Sequence, residues 1–292
     1  MKTHVIVRPG GLGDSLLVAP ALQQLKAEGD CRIRLVGYPD RLRPVARAGL
    51  ADSILSLDDW LSRPVTVADF EDHTTETHEV VVHSFFPLTP SNLPSGVSLR
   101  FFPPAPEPGS GIHVAKHIGR CLGIEVGSRR ESPLKSLLQK GFRGLRRTVW
   151  VHPGAGGRKK RWPLPNYLDL ADRLGNVPGL DPVFILGEAD GDLEPWIRGR
   201  RFEVETCEDT ESLTSLFEEG DLFIGNDSGP THLAALMGLS TVALFGDTDP
   251  VLWSPWGESV RILRRRESRD WPTVDETLDG VLAFSGKVGE RS

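Results

Sequence analysis

Short runs of branched and aromatic apolar residues alternate along the chain with stretches in which apolar positions recur every three or four residues, and most runs end in Gly, Pro or Asp. Val5-Ile6-Val7 leads through a glycine-rich turn to Ser15–Glu28, whose Leu16, Leu17, Ala21, Leu22 and Leu25 share one helical face. Arg32 to Gly37 reads as a strand, Leu42 to Ala48 as a short helix, and Ser53 to Leu57 and Val80 to His83 as further strands. Seven prolines between Phe85 and Gly111 disfavour helix around a strand at Ser98 to Phe102, and Ile112 to Leu122 resumes helical spacing. The polar, basic stretch Gly123 to Arg147 reads as a linker. The rhythm then restarts, with strands at Val149 to Val151, Val183 to Leu186, Leu222 to Ile224 and Thr241 to Phe245. Helices are expected at Asn166 to Leu174, Ser212 to Glu219, Thr231 to Met237 and Val274 to Phe284. Two such series predict an α/β protein with two doubly wound domains, 1–135 and 136–272, followed by a C-terminal helix and tail over 273–292. Ligands of such sheets gather at the carboxyl ends of the strands, so the loops that follow strands are where chemistry is expected.

Composition narrows this without naming a use. The 292 residues are 39% hydrophobic and 25% charged, which excludes disorder, collagen and coiled coil. A formal net charge of -6 argues against a general grip on nucleic acid. The charge is mildly segregated: residues 1–146 carry 18 basic and 15 acidic side chains, leaving 16 and 25 for the rest. Cys31, Cys121 and Cys207 are far apart and form no CxxC pair, so neither a disulfide framework nor a zinc site is indicated and a reducing compartment fits. The apolar run at Val5 to Val7 is too short for a signal-peptide core. Leu233 to Phe245, interrupted by Gly238, Ser240 and Thr241, falls short of the roughly 20 residues of a membrane span. A cytoplasmic protein is expected, with attachment to a membrane surface left open.

Four loops after predicted strands carry candidate chemistry. Arg8-Pro9-Gly10-Gly11-Leu12-Gly13-Asp14 joins the first strand to the first helix, where the Gly11 and Gly13 backbone can approach a ligand. As a dinucleotide fingerprint it fails, because the third glycine and the acidic residue after the second strand are missing. Asp14 is then either a helix cap or a functional carboxylate. His152-Pro153-Gly154 through Lys160-Arg161-Trp162-Pro163 sets four consecutive basic residues beyond a glycine-rich turn that includes Gly154, a sensible place for phosphate oxygens. Asn226-Asp227-Ser228-Gly229-Pro230-Thr231-His232 runs from a strand into a helix, aiming free amides at the loop mouth. Gly246-Asp247-Thr248-Asp249-Pro250 follows another strand and alone is only a turn.

Taken together, Arg8 to Asp14 followed by Pro20-Ala21-Leu22, His152-Pro153-Gly154, Lys160-Arg161-Trp162-Pro163 and Ile224 to Pro250 resemble glycosyltransferase family 9, the ADP-heptose lipopolysaccharide heptosyltransferases and their relatives. The resemblance spans both halves in order, and its Asp-Ser-Gly-Pro-x-His-Leu-Ala block is its most specific part. It implies a GT-B fold, two Rossmann-like domains facing a central cleft, with the acceptor on the N-terminal domain and the sugar nucleotide on the C-terminal one. It also implies that the last helix packs back on the N-terminal domain. The implied activity is inverting, metal-independent transfer of a sugar, heptose from ADP-heptose, to a bacterial surface glycan or lipopolysaccharide-type glycolipid. No cofactor is implied beyond the sugar nucleotide, and the glycolipid brings peripheral contact with the inner membrane surface into view.

By position, Asp14 matches the family's catalytic carboxylate and Lys160 the lysine that meets the diphosphate. Asp227, Ser228, Gly229 and His232 match the helix-start residues at the nucleotide sugar, and Thr248 and Asp249 the Thr-Asp-Pro turn. Glu188, with Asp190 as its rival, is a candidate for the ribose. Arg41, Arg43 and Arg47 are candidates for an anionic acceptor, against the alternative of a solvated helix face. The chain departs from the family at Asp247, where proline is common; a carboxylate there is tolerable beside a diphosphate only if it points outward. The front domain reads as shorter than in typical heptosyltransferases. Competing readings are a sugar-nucleotide-binding protein without transferase activity, and a GT-B transferase with another donor and acceptor.

Overall fold

The computed structural model describes residues 2–62, 79–87, 97–138, 147–266 and 270–285. The chain divides into two compact units, Met1–Arg129 and Arg130–Ser292.

In the first unit the described residues form a parallel sheet in the order β3-β2-β1-β4-β5: β1 Lys2–Val7, β2 Cys31–Gly37, β3 Ser53–Ser56, β4 Glu79–Ser84 and β5 Ser98–Phe101. The helices are α1 Leu12–Leu16, α2 Ala19–Glu28, α3 Pro39–Arg47, α4 Leu57–Ser62 and α5 Val114–Leu122. The central strands are buried on both faces, as parallel strands covered by helices must be: Val5, Ile6, Val7, Ile33, Leu35, Val36 and Val82 are all fully buried. The single helix expected over Ser15–Glu28 is two. Pro20 has no N–H for the Leu16 carbonyl and its ring crowds that carbonyl, so the chain restarts at Val18, whose carbonyl accepts from Ala21 N and Leu22 N at 3.0 and 3.1 Å.

In the second unit the described residues form a six-stranded parallel sheet in the order β11-β10-β9-β6-β7-β8: β6 Arg147–His152, β7 Leu180–Gly187, β8 Glu203–Cys207, β9 Leu222–Asn226, β10 Ser240–Phe245 and β11 Val260–Arg264. Its helices are α6 Leu164–Gly175, α7 Glu194–Arg198, α8 Thr210–Glu218, α9 Gly229–Met237, α10 Pro250–Trp253 and α11 Val274–Ser285. Every residue of α9 from Thr231 to Met237 is buried, which explains why its apolar pattern runs all round.

Two expectations change. Part of the described stretch of the linker read over Gly123–Arg147 is packed. Ile124 and Val126 are buried, and Leu134 is fully buried with its N–H on Leu236 O at 2.9 Å. The basic side chains that made the stretch look solvated have partners there: Arg130 bonds Ser254 Oγ at 2.7 Å and stacks on Trp256, and Lys135 pairs with Glu258 at 2.9 Å. Residues 139–146 lie outside the described residues, and the division falls after Arg129 instead of after residue 135. Helix α11, expected to pack back on the N-terminal domain, turns its apolar face to the core of the second unit: Val281 is buried there, with Val274, Leu278 and Leu282 packed against the same cluster. The remainder of the tail, 286–292, lies outside the described residues.

Strand order reverses beside β1 in the first sheet and beside β6 in the second. Adjacent connections leave the sheet in opposite directions there, opening a crevice at the carboxyl ends of β1 and β4 and another at those of β6 and β9.

Candidate functional site

In the second unit both candidate loops emerge at the β6/β9 crevice. After β6 the chain makes a 3-10 turn at Arg158–Lys160, closed by Lys160 N on Gly157 O at 3.0 Å. After β9 it passes through Asp227 and Ser228 into α9, with Ser228 in extended backbone at the cap position. Lys160 Nζ donates to Asp227 Oδ2 at 2.6 Å, and His232 Nε2 lies 3.7 Å from Asp227 Oδ1. The lysine is 43% exposed and Asp227 only 5%. Burial alone would raise the Asp227 carboxyl; His232 and Lys160 outweigh it and hold it at about 2. His232 N bonds Ser228 O at 3.2 Å, while the Gly229 amide at the first helical position has no earlier turn to donate to. Pro230, next in line, has no N–H to satisfy. A cation, a buried carboxylate, an imidazole and a helix N-terminus thus converge on one crevice, an arrangement suited to an anion with a charged diester or diphosphate chain.

The rival acids after β7 separate cleanly. Asp190 is buried; it accepts from Arg161 Nη2 at 3.1 Å and Gly187 N at 3.4 Å, and faces His152 Nε2 at 3.5 Å. Burial would raise its carboxyl, but His152 and Arg161 hold it below the ordinary carboxylate range. Gly154 is glycine because of this residue: a Cβ there would stand 2.2 Å from Asp190 Oδ2. Asp190 is thereby engaged inside the protein, while Glu188 is exposed on the turn after β7. On the turn after β10, Thr248 is half-buried and Asp249 caps α10, accepting from Val251 N at 3.0 Å. Asp247 is exposed and pairs at 3.5 Å with Arg265, whose guanidinium lies over Trp271.

In the first unit Asp14 stands at the β1/β4 crevice. Gly11 is the cap of α1 and Asp14 lies three residues on, so the capping role that competed for Asp14 belongs to Gly11, whose carbonyl accepts from Ser15 N at 3.0 Å. The Gly13 carbonyl accepts from Leu17 N at the same distance. Asp14 is 42% exposed, and its carboxylate lies 3.9 Å from Nη2 of Arg8, which is 2% exposed. Arg8 also donates Nε to the Asp14 carbonyl at 3.3 Å and Nη1 to the Pro104 carbonyl, above the Phe85 ring. Burial pulls the Arg8 guanidinium below its usual range, and Asp14 pulls it back. Arg41 donates to the Gly10 carbonyl and stacks on Tyr38 at 4.5 Å, bracing the same loop, while Arg43 and Arg47 are exposed on α3.

Two residues that the sequence reading passed over matter here. Asn226 is fully buried and bonds the loop that carries Lys160. Arg8, read only as part of a turn, is the buried partner of Asp14. An asparagine or arginine at the end of an apolar strand was the available signal in both cases, since such a side chain is buried only with partners. Among the described residues no group of three or more His, Cys, Asp or Glu side chains is arranged to hold a metal ion.

A family model described as glycosyltransferase family 9 (heptosyltransferase) matches residues 125–278, more than half of the chain. Among curated proteins, lipopolysaccharide heptosyltransferase 3 of Escherichia coli is 38% identical over 64 residues, 22% of this chain and 19% of that protein. Lipooligosaccharide heptosyltransferase 2 of Haemophilus influenzae is 31% identical over 153 residues, 49% of this chain and 44% of that protein. The chain thus matches less than half the length of these curated relatives. Among solved structures, the Escherichia coli heptosyltransferase WaaC with ADP has a TM-score of 0.73 at 14% identity, covering 97% of this chain and 99% of that one. A family 9 glycosyltransferase from Veillonella parvula has a TM-score of 0.73 at 18% identity, covering 97% and 96%. At such identities the structural likeness speaks for the fold, two Rossmann-like units of the GT-B type.

Proposed function

The chain belongs to glycosyltransferase family 9, and from that premise we propose that it transfers a sugar from a nucleotide-diphosphate donor to a bacterial surface glycan. More finely, we assign heptose from ADP-heptose as the donor group and a lipopolysaccharide-type glycolipid as the acceptor. The observation that supports this most is the grouping of Lys160, Asp227 and His232 at the N-terminus of α9.

In the reaction the acceptor hydroxyl oxygen attacks the anomeric carbon from the face opposite the diphosphate, and the bond from that carbon to the diphosphate oxygen breaks with its electron pair. Configuration inverts. Asp14 takes the hydroxyl proton, a role for which its exposed carboxylate is suited. The departing diphosphate gains negative charge, which Lys160 and the Ser228 and Gly229 amides neutralise without a metal. Asp227 does not face the diphosphate as a bare anion, because Lys160 and His232 flank its two oxygens. Glu188 and Thr248 are assigned to the rest of the donor. We place the reaction in the cytoplasm, with the glycolipid presented at the inner face of the cytoplasmic membrane; no helix among the described residues is long and apolar enough to cross a membrane.

Calorimetry with ADP, GDP and UDP, followed by a transfer assay with ADP-heptose and lipid-linked acceptors, tests this. ADP is expected to bind most tightly, and Asp14→Asn to abolish transfer while leaving ADP binding nearly intact. Tight ADP binding without transfer to any acceptor would instead mark a binding protein, and a strong preference for GDP or UDP would remove the heptose assignment.

A further inference from the structure

Lys160 lies on an eleven-residue loop, Pro153 to Pro163, that connects β6 to α6. Connections of that length are ordinarily the movable parts of a domain, yet a diphosphate-binding ammonium is useful only if it stands at a fixed distance from the amides it works with. Its own 3-10 turn at Arg158–Lys160 gives the loop local shape but does not relate it to α9.

That relation comes from the side chain of Asn226, the last residue of β9 and 0% exposed. Its Nδ2 donates to Pro153 O at 2.8 Å and to Gly154 O at 3.1 Å, where the loop begins. Its Oδ1 accepts from Trp162 N at 2.8 Å, where the loop ends. Both ends of the loop are therefore fastened to one planar amide, in an orientation fixed by two carbonyl acceptors and one N–H donor. The main chain of Asn226 serves the other half of the site. Its carbonyl accepts from Thr231 Oγ1 in the first turn of α9, and the next residue, Asp227, holds Lys160 Nζ at 2.6 Å. A closed ring of contacts results, running from Asn226 to Asp227, across to Lys160, along to Trp162 and back.

We infer that Asn226 is a positioning residue for Lys160, setting where the ammonium stands relative to the N-terminus of α9 and so the affinity for the terminal phosphate of a nucleoside diphosphate. This rests on the function proposed above. No other residue type of the same size satisfies the site. Aspartate keeps the acceptor for Trp162 N but turns a carboxylate oxygen on the Pro153 and Gly154 carbonyls. Leucine fills the volume and leaves all three backbone groups unpaired in the interior.

The test is a double-mutant cycle read by calorimetry with ADP and with AMP, which lacks the terminal phosphate, on the full chain. Asn226→Asp is expected to weaken ADP binding roughly tenfold or more, the scale of a displaced charge-assisted hydrogen bond, and to change AMP binding by less than about threefold. In a Lys160→Met background the same substitution is expected to cost almost nothing further in ADP affinity, because the group it positions is gone. Asn226→Ser, which buries no charge, carries the same comparison if the aspartate variant does not fold. Equal losses for ADP and AMP, or an undiminished loss in the Lys160→Met background, would show Asn226 to be merely structural and overturn the inference. A wild-type chain that binds no nucleoside diphosphate would overturn the proposed function, and the inference with it.

Discussion

Lys160 Nζ and Asp227 Oδ2 stand 2.6 Å apart, the first side chain 43% exposed and the second 5%. The pair is thus asymmetric: the carboxylate depends on its partners for charge compensation, while the ammonium keeps one side open to water and to an incoming anion. Lys160→Met is expected to weaken nucleoside diphosphate binding roughly thirtyfold or more, and to lower stability by only about 1 kcal/mol because half of the pair is already solvated. Isothermal calorimetry and urea unfolding separate the two effects. A large stability loss with unchanged affinity would mean that Lys160 serves only Asp227.

The acid behaviour of this site follows from the same asymmetry. The Asp227 carboxyl is held at about 2 in the fold against an ordinary 3.8, so the unfolded chain binds the proton first. Its contribution, on the order of 2 kcal/mol, is fully present above pH ~4 and lost as pH falls toward ~2. The first unit loses stability in the same direction but from a higher pH, through His4 and His83. These two buried imidazoles stack with Nδ1 of His4 3.1 Å from Nε2 of His83. Burial, His4, Arg100 and Lys2 together push His83 down to about 3, and burial with Lys2 lowers His4. The fold favours the neutral forms, so stability is fully present above an unfolded pKa of ~6.5 and drains away as the pH falls below it, by up to ~1.4 kcal/mol per pH unit for His83. Calorimetric scans from pH 7.5 to 4.5 are expected to show an early transition assigned to the first unit that moves down with pH, while the second stays in place. His83→Gln is expected to flatten that slope, and an unchanged slope would remove His83 as its source.

Glycines on the Lys160 loop are not equivalent. A Cβ at Gly154 would lie 2.2 to 2.5 Å from the carboxylate atoms of Asp190, whereas one at Gly156 meets nothing within 4 Å. Gly154→Ala must push Asp190 away from Arg161 and His152, and is expected to cost about 2 to 4 kcal/mol. Gly156→Ala is expected to stay within about 0.5 kcal/mol of the wild type. Chemical unfolding of the two variants side by side decides it, and equal stabilities would mean that Asp190 is not held where it stands.

Much of this architecture is legible from periodicity because the inner strands of parallel sheets are apolar on both faces. Val5-Ile6-Val7, Val149-Trp150-Val151 and Leu222-Phe223-Ile224 announce themselves as strands for that reason. The strands that sequence reading missed, β8 and β11, lie at the edges of the second sheet. There Val204 alternates with Glu203 and Glu205, and Ile262 and Leu263 are framed by Arg261 and Arg264, so the pattern resembles surface loop. The residues at the β6/β9 crevice were recognisable because Lys160, Asp227 and His232 sit in a patterned block. The side chains that hold the Lys160 loop were not: Asn226 and Asp190 are polar groups whose meaning lies in partners distant along the chain, as is Arg8 beside Asp14 in the first unit, and no local period records those.

Asp247 and Asp249 occupy one turn and face different fates. Asp247 stands where the family resemblance expects proline, and an inward carboxylate there would repel a diphosphate. It is instead exposed and 3.5 Å from Arg265, an arrangement worth little in water. Asp249 accepts from Val251 N at 3.0 Å as the cap of α10, a bond whose loss typically costs about 1 kcal/mol. Asp247→Ala is therefore expected to leave both stability and ADP affinity within about twofold of the wild type, whereas Asp249→Ala is expected to lower the melting temperature by a few degrees. Because the turn follows β10 directly, loosening α10 is expected to reach Thr248 next door, so Asp249→Ala also weakens donor binding modestly. A tenfold gain in ADP affinity on removing Asp247 would mean that its charge does act on the diphosphate, and that the outward pairing with Arg265 fails to keep it away.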